Sequence, residues 1–234
     1  MEVNISSWSL MKNEFHELIK SRHSTRAYLD REVEPEILRE ILDTARFAPS
    51  STNMQPWEVL VLTGKAKKRL DQRLLAAYDQ QTPSDPHLHA YLEEWVEPYK
   101  TRRLSCGMAL YDAVRIERGD RPARQAQARK NFEAFGAPAV MIFYQDDFLK
   151  PGSILDMGLF LQTVMLSAQS MGLATCPEAS LVAWPEILRK EFQIPKGKRL
   201  ITGLAIGYED AAAPVNGYRT ERDEVNHFTR FLAD

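Results

Sequence analysis

The chain is 234 residues long, 44% hydrophobic and 26% charged, with a formal net charge of −2 and no low-complexity tract. That length allows one substantial core or two small ones, and that charge gives no electrostatic case for nucleic acid or an anionic membrane. Cys106 and Cys176 lie far apart with no paired spacing, which suits a reducing compartment and argues against a disulfide scaffold. The opening "MEVNISSWSLMKNEF" lacks a basic stretch followed by a sustained apolar one, and the apolar run "AVMIFY" is too short to cross a bilayer. The expected location is the cytoplasm, with no membrane partner.

In chain order, "NEFHELIKSR" places Phe15, Leu18 and Ile19 on one helical face. A second helix begins at Pro35, where a missing N–H costs nothing, carries Ile37, Leu38, Ile41, Leu42 and Ala45 at helical spacing, and stops before Pro49. "WEVLVLTG" (Trp57 to Gly64) reads as a strand, and Lys65 to Tyr78 as a helix with Leu70, Leu74 and Ala77 inward. Residues of about 81–124 form a helical excursion punctuated by Pro83, Pro86, Pro98 and Pro122. Within it, Leu88, Tyr91, Leu92, Trp95 and Tyr99 are expected to form an aromatic helical stripe packed on the body, with pocket lining as the alternative.

"QAQARKNFEAFGAP" reads as a helix closed by Gly136, and "AVMIFYQ" as a fully buried strand. Ser153 to Leu173 is a long helix, apolar almost all round and so expected at the centre, with Ser153 and Asp156 spaced as a capping box. "TCPEAS" is expected as a loop, "WPEILRKEF" as a helix and Arg199 to Tyr208 as a buried strand. The tail leaves the body with Val225 and Phe228 as apolar anchors. Three to five buried strands among longer helices imply an α+β or α/β domain.

Chemistry narrows by elimination. The five histidines include no helical ligand pair with a carboxylate beside it, and His87-x-His89 sits in a proline-rich turn, so no metal is expected. No serine sits in a glycine-flanked elbow, and Cys176 before Pro177 reads as a small buried apolar residue. Phosphate is better served. "SRHSTR" sets Arg22, Ser24 and Arg26, around His23, on alternate positions, and an extended segment turns alternate side chains the same way. Two guanidiniums and a hydroxyl on one face can grip a delocalised anion, and the tail offers Arg219 and Arg222 as a second pair. "FAPSSTNMQPW" (Phe47 to Trp57) combines hydrogen-bonding edges with a flat apolar residue, a mixture suited to an amphipathic ligand.

The chain resembles the FMN-dependent nitroreductase family in "RHSTR" and "APSSTNMQPW", and more loosely in "GLATCPEAS" and "IGYEDAAAPVNGYRTER". The resemblance implies one domain over residues 1–234, an α+β fold layered α/β/α around a mostly antiparallel sheet, and an intertwined homodimer with FMN at the interface. It implies that Arg22 and Ser24 hold the phosphate and ribityl end, with His23 between them among the cofactor-binding residues, and that Arg26 faces the N1 and O2 edge of the flavin. Pro49, Ser50, Ser51 and Asn53 would reach that flavin from the other subunit. Pro177, Glu178 and Ala179 would line its inner side, Ala179 standing where many members have glycine. Arg219 and Arg222 would complete the phosphate clamp, either making the closer contact.

The implied activity is ping-pong hydride transfer from NADH or NADPH through FMN to an electron-poor acceptor such as a nitroaromatic. The flavin carries the reaction and no side chain acts as catalytic acid or nucleophile; Arg26, a permanent cation, supports charge on the reduced ring. Quinone or enone reduction, reductive dehalogenation, and a non-enzymatic flavin sensor or store are the alternatives. Arg102 and Arg103 are candidates for a 2′-phosphate, with plain surface solvation equally open.

Overall fold

A computed structural model describes residues 5–89 and 91–233, with side chains from Lys12 onward. Seven helices are described: α1 (Ile5–Ser21), α2 (Pro35–Ala45), α3 (Gly64–Asp79), α4 (Tyr99–Ala113), α5 (Arg121–Arg129), α6 (Gly152–Ser170) and α7 (Pro185–Phe192). They surround four strands, β1 (Glu58–Thr63), β2 (Ala139–Asp146), β3 (Ala174–Glu178) and β4 (Lys198–Gly207), which form one antiparallel sheet in the order β1-β2-β4-β3. The fold is α+β.

Both faces of the sheet are covered, and β2 shows why its sequence is a continuous apolar run rather than an alternating one. Met141 and Phe143 point into a core shared with Ile41 of α2 and Phe160 and Val164 of α6. Val140 and Ile142, one residue out of step, point into a second core with Leu70 and Leu74 of α3 and Leu188 of α7. Alternate side chains feed opposite layers, so both faces are apolar from Ala139 to Phe143, and polar residues enter only at the strand's end, where buried Gln145 donates to the Ser153 hydroxyl. Phe143 is fully buried, and its removal is worth roughly 3–5 kcal/mol.

Several expectations need correction. β3 is a strand where a loop was expected, because five residues of edge pairing with β4 outweigh the local effect of Pro177. An edge strand tolerates proline, since one side of its backbone has no ladder to complete. Leu88, His89 and the residues from Tyr91 to Trp95 are bends and irregular backbone rather than a helical stripe, and a helix starts only at Tyr99, after Pro98. Proline disfavours helical backbone in the residue before it, so Pro86 and Pro98 favour an irregular strap between them.

α5 ends at Arg129, and Lys130–Gly136 continues as a tighter turn in which Ala134 and Phe135 have φ of +50° and +53°. Ser153 is no cap. Pro151 starts α6 ahead of it, and the Ser153 hydroxyl donates to Lys150 O while accepting from Gln145. α6 is not buried all round either, since Leu155 and Leu159 are 69% and 40% exposed. Val225 and Phe228 are 53% and 71% exposed rather than buried anchors, Phe228 lying at the rim of a groove beside α4. No described helix is long and apolar enough to cross a membrane.

Candidate functional site

The outer edge of β3 organises the site. Gln169 of α6 donates to Leu18 O and to the Ser21 hydroxyl, docking the end of α1 against α6. The chain then turns out along β3, where Ser24 forms a parallel bridge with Thr175 and the Thr25 N–H donates to Thr175 O at 3.0 Å. Thr25 is buried, and the extended backbone sends Arg22, Ser24 and Arg26 to the other side, as the alternation requires.

Arg22 sits in a cavity of about 310 Å³ with His23, Gln169, Thr175 and Arg219. Its Nη1 is buried and has no hydrogen-bond partner. Burial, and then the nearby Arg222 guanidinium, hold its pKa below the ordinary arginine value. A buried donor left open costs roughly 1–3 kcal/mol, more when charged, unless a partner arrives. Two like charges facing an unused donor fit an anion with several acceptor oxygens, such as the phosphate of FMN. Arg219 lines the same cavity, whereas Arg222 acts on Arg22 through its charge. His23 is otherwise engaged, its nitrogens lying 3.1 Å from Ser21 O and from Glu209 Oε1.

Arg26 marks the other end. Its Nη1 donates to the Tyr218 hydroxyl at 2.7 Å and to Ser24 O at 3.3 Å, and its charge lies 5.9 Å from the Phe135 and Tyr218 ring centres. Buried Asn216 accepts the Arg26 N–H through Oδ1 at 2.7 Å and donates through Nδ2 to Ala27 O and Asp210 O. This amide staples the tail to the arginine-bearing segment. Arg26 opens onto a cavity of about 620 Å³ floored by Cys176, Pro177, Glu178 and Ala179 and walled by Asn131, Phe132, His89 and Tyr91. Of the excursion's aromatic residues, Tyr91 reaches this cavity, while Trp95 lies under Arg103.

The floor is held from behind. A Cβ on Gly203 of β4 would come within 2.5 Å of Leu181 Cβ, so glycine lets the turn after β3 seat directly on the strand. Glu178 is 5% exposed, its Oε2 accepting from the Ser180 hydroxyl at 3.4 Å and its Oε1 unpartnered. Burial pushes its pKa well above the ordinary carboxylate value, with the Ser180 hydroxyl and Arg26 opposing. Burial, reinforced by Glu178, pushes the Cys176 thiol up to about 12, which makes it a poor nucleophile.

Pro49, Ser50, Ser51 and Asn53 lie elsewhere. Their loop precedes β1, at the sheet edge opposite β3, across three strand spacings or roughly 14 Å. It is held by Ser51 N–H donating to Asp156 Oδ1 at 3.2 Å and by Trp57 stacking on Phe160 with centroids 4.5 Å apart. Thr52, Asn53 and Gln55 all have positive φ, between 50° and 57°. Left-handed backbone in non-glycine residues is strain of the kind that gathers at functional sites. Within one chain, then, the arginines and the β3 floor come together and the hydroxyl loop does not.

Asn216, Tyr218 and Asp156 were not singled out for these roles from sequence. The first two lie inside the "PVNGYR" stretch already quoted, and Asp156 was assigned to a cap. Arg102 pairs with Asp223 beside a groove of about 1180 Å³ that Arg219 and Arg222 also line, so its charge is already partnered.

The model of the Nitroreductase family matches residues 19–208. A 4-nitrobenzoate reductase of Pseudomonas putida is 35% identical over 224 residues, spanning 96% of this chain and 98% of the relative. The crystal structure of the FMN- and NADPH-dependent nitroreductase NfnB from Sphigopyxis sp. strain HMH superposes with a TM-score of 0.90 at 32% identity, covering 94% of this chain and 99% of that one. The FMN-dependent nitroreductase NfnB of Mycobacterium smegmatis, solved with NADPH, also gives 0.90, at 30% identity and 95% and 100% coverage.

Proposed function

The chain belongs to the nitroreductase family, and on that premise we propose that it is an FMN-dependent oxidoreductase passing hydride from NADPH to nitroaromatic acceptors. The observation that carries this reading is the buried, unpartnered Arg22 nitrogen beside Arg222, at one end of a β3 edge whose other end is Arg26. That spacing of cations serves a molecule with a phosphate at one end and an electron-accepting ring at the other.

FMN, when bound, supplies the two-electron chemistry for which these side chains offer no group. Arg22, with Arg219 and Arg222, holds the phosphate, and Ser24 offers its hydroxyl to the chain beyond it. Arg26 presents a fixed positive charge where the reduced ring carries its negative charge, and Tyr218 and Asn216 keep that charge aimed. A preorganised cation needs no reorientation during the reaction, which is why such groups outweigh mobile ones. Pro177, Glu178 and Ala179, which line the cavity beside Arg26, would form a wall for the ring. The 620 Å³ cavity in front of that wall takes donor and acceptor in turn, giving a ping-pong order.

The site is completed by a second copy of the chain, whose Pro49–Asn53 loop supplies the missing polar rim. The position of that loop at the far sheet edge supports this arrangement, as do the exposed apolar side chains of Phe15, Leu155, Leu159, Phe228, Phe231 and Leu232, which a partner would cover. The whole chain works as one FMN-binding domain, the residues of about 81–124 building a wall of the acceptor cavity.

Purified protein should be yellow, should bleach with NADPH under anaerobic conditions and should recolour on adding a nitroarene. Colourless protein that takes up no FMN at saturating supply contradicts the reading.

A further inference from the structure

The acceptor cavity is walled on one side by Pro86, Leu88, His89 and Tyr91, which come from a strap of residues 82–98 containing no helix or strand among its described residues. Such a segment has no internal ladder, so its position depends on how it is tied to the body. At its start the ties are the Trp184 indole N–H, shared between Thr82 O and Pro83 O at 3.2 Å each, and the Asp85 N–H donating to Ala183 O. Beyond Asp85, among the described residues, one hydrogen bond fastens the strap to the sheet: Leu200 N–H donates to His87 Nδ1 at 3.0 Å.

Sheet topology explains why Leu200 has an amide to offer. β4 runs from Lys198 to Gly207, but β3 pairs only with Gly203–Gly207. The first half of β4 therefore has an open edge on that side, and Leu200 is itself fully buried. A buried amide on an open edge requires an acceptor, and the strap delivers one.

We propose that His87 is a positioning residue of the acceptor pocket: by accepting the Leu200 amide it seats the strap on β4 and fixes Leu88, His89 and Tyr91 opposite the Pro177–Ala179 floor, and its protonation releases them. The substrate-facing part of this rests on the reading of that cavity as the acceptor site. An imidazole accepts a hydrogen bond only through an unprotonated nitrogen, so an imidazolium cannot make this contact. Partial burial and then Arg189 hold the pKa of His87 below the ordinary histidine value, with Arg199 acting in the same direction and Glu186 and Asp85 opposing. These groups belong to α7, β4 and the strap itself. For a base whose seated form has a depressed pKa, seating is favoured above the ordinary histidine pKa of about 6.5 and weakens as pH falls through the depressed value.

The test compares His87→Leu, which removes the acceptor, with His87→Asn, whose side-chain oxygen can replace Nδ1. Two readouts are needed. In FMN-loaded protein without acceptor, the Leu200 amide should be protected from hydrogen exchange in the wild type at pH 8, open in His87→Leu, and protected again in His87→Asn. In turnover with nitrobenzene, His87→Leu should raise KM by about five- to tenfold with kcat little changed, the loss of one hydrogen bond. His87→Asn should hold KM low and flat between pH 5 and 8, where the wild-type KM climbs on acidification. Leu200 protection unchanged in His87→Leu overturns the inference, and so does an opened amide with an unchanged KM. Absence of nitrobenzene turnover in wild type at pH 8 is a different failure, that of the proposed function, and Leu200 exchange still decides whether His87 is the clasp.

Discussion

The two edges of the sheet are built on opposite principles. At the β3 edge, Arg22 and Arg26 are set by a strand bridge, a buried asparagine staple and a close-packed turn on Gly203. At the β1 edge, Ser50–Asn53 is an exposed turn with left-handed residues, held by Asp156 and by the Trp57 stack behind it. One edge is complete and cationic; the other is polar, strained and faces outward. On the proposed function, charge that must act without moving belongs on the rigid edge, and a loop that meets another molecule belongs on the exposed one.

Substitutions at each edge sharpen that contrast. The largest effect should come from Arg26→Ala, which removes a fixed cation and should lower kcat by roughly 10²–10³-fold, with bound FMN largely retained, as steady-state rates and flavin absorbance would report. Arg22→Ala comes next. It should weaken FMN binding by about ten- to a hundredfold, the worth of a charge-assisted hydrogen bond, while the rate at saturating FMN stays near normal. Equal loss of rate and affinity in both variants would erase the distinction between the two ends of the β3 edge.

At the other edge, Asp156→Ala frees the Ser51 amide and should weaken FMN binding by up to about tenfold with little change in melting temperature, whereas Asp156→Asn keeps an acceptor and should change little. The smallest effect is chemical. Cys106 is exposed and should take up a maleimide in the native protein at pH 8, while Cys176, buried with its thiol pushed up to about 12, should react only after unfolding. Rapid native labelling of Cys176 would mean that the β3 floor is looser than its packing implies.

How much of this was legible in sequence follows from which interactions are local. β2 and β4 follow from apolar runs, and α2 and α3 from apolar periodicity, because each is defined by what it buries. β3 was missed since a five-residue strand containing proline has little local signature and exists through its pairing with β4. The helical reading of Leu88–Trp95 failed for a related reason: the apolar spacing was present, but prolines and the seat on β4 decide that segment's shape. Arg22, Arg26, Arg219 and Arg222 were legible as arginines on alternating or clustered positions. Asn216 and Tyr218 were not, since their partners lie some 190 residues away in sequence. Asp156 was concealed by a plausible local role, helix capping, that the structure gives to no side chain.

The claim on which all of this turns is that each flavin site draws its arginine edge from one copy of the chain and its hydroxyl loop from another. Mixing a chain carrying Arg26→Ala with one whose Ser50–Asn53 loop is replaced, and isolating the mixed dimer by differential tags, puts that to the test. A shared site leaves one of the two sites free of both lesions, so about half the wild-type turnover per dimer should return although each parent alone is nearly inactive. A mixed dimer no more active than its parents would contradict the account.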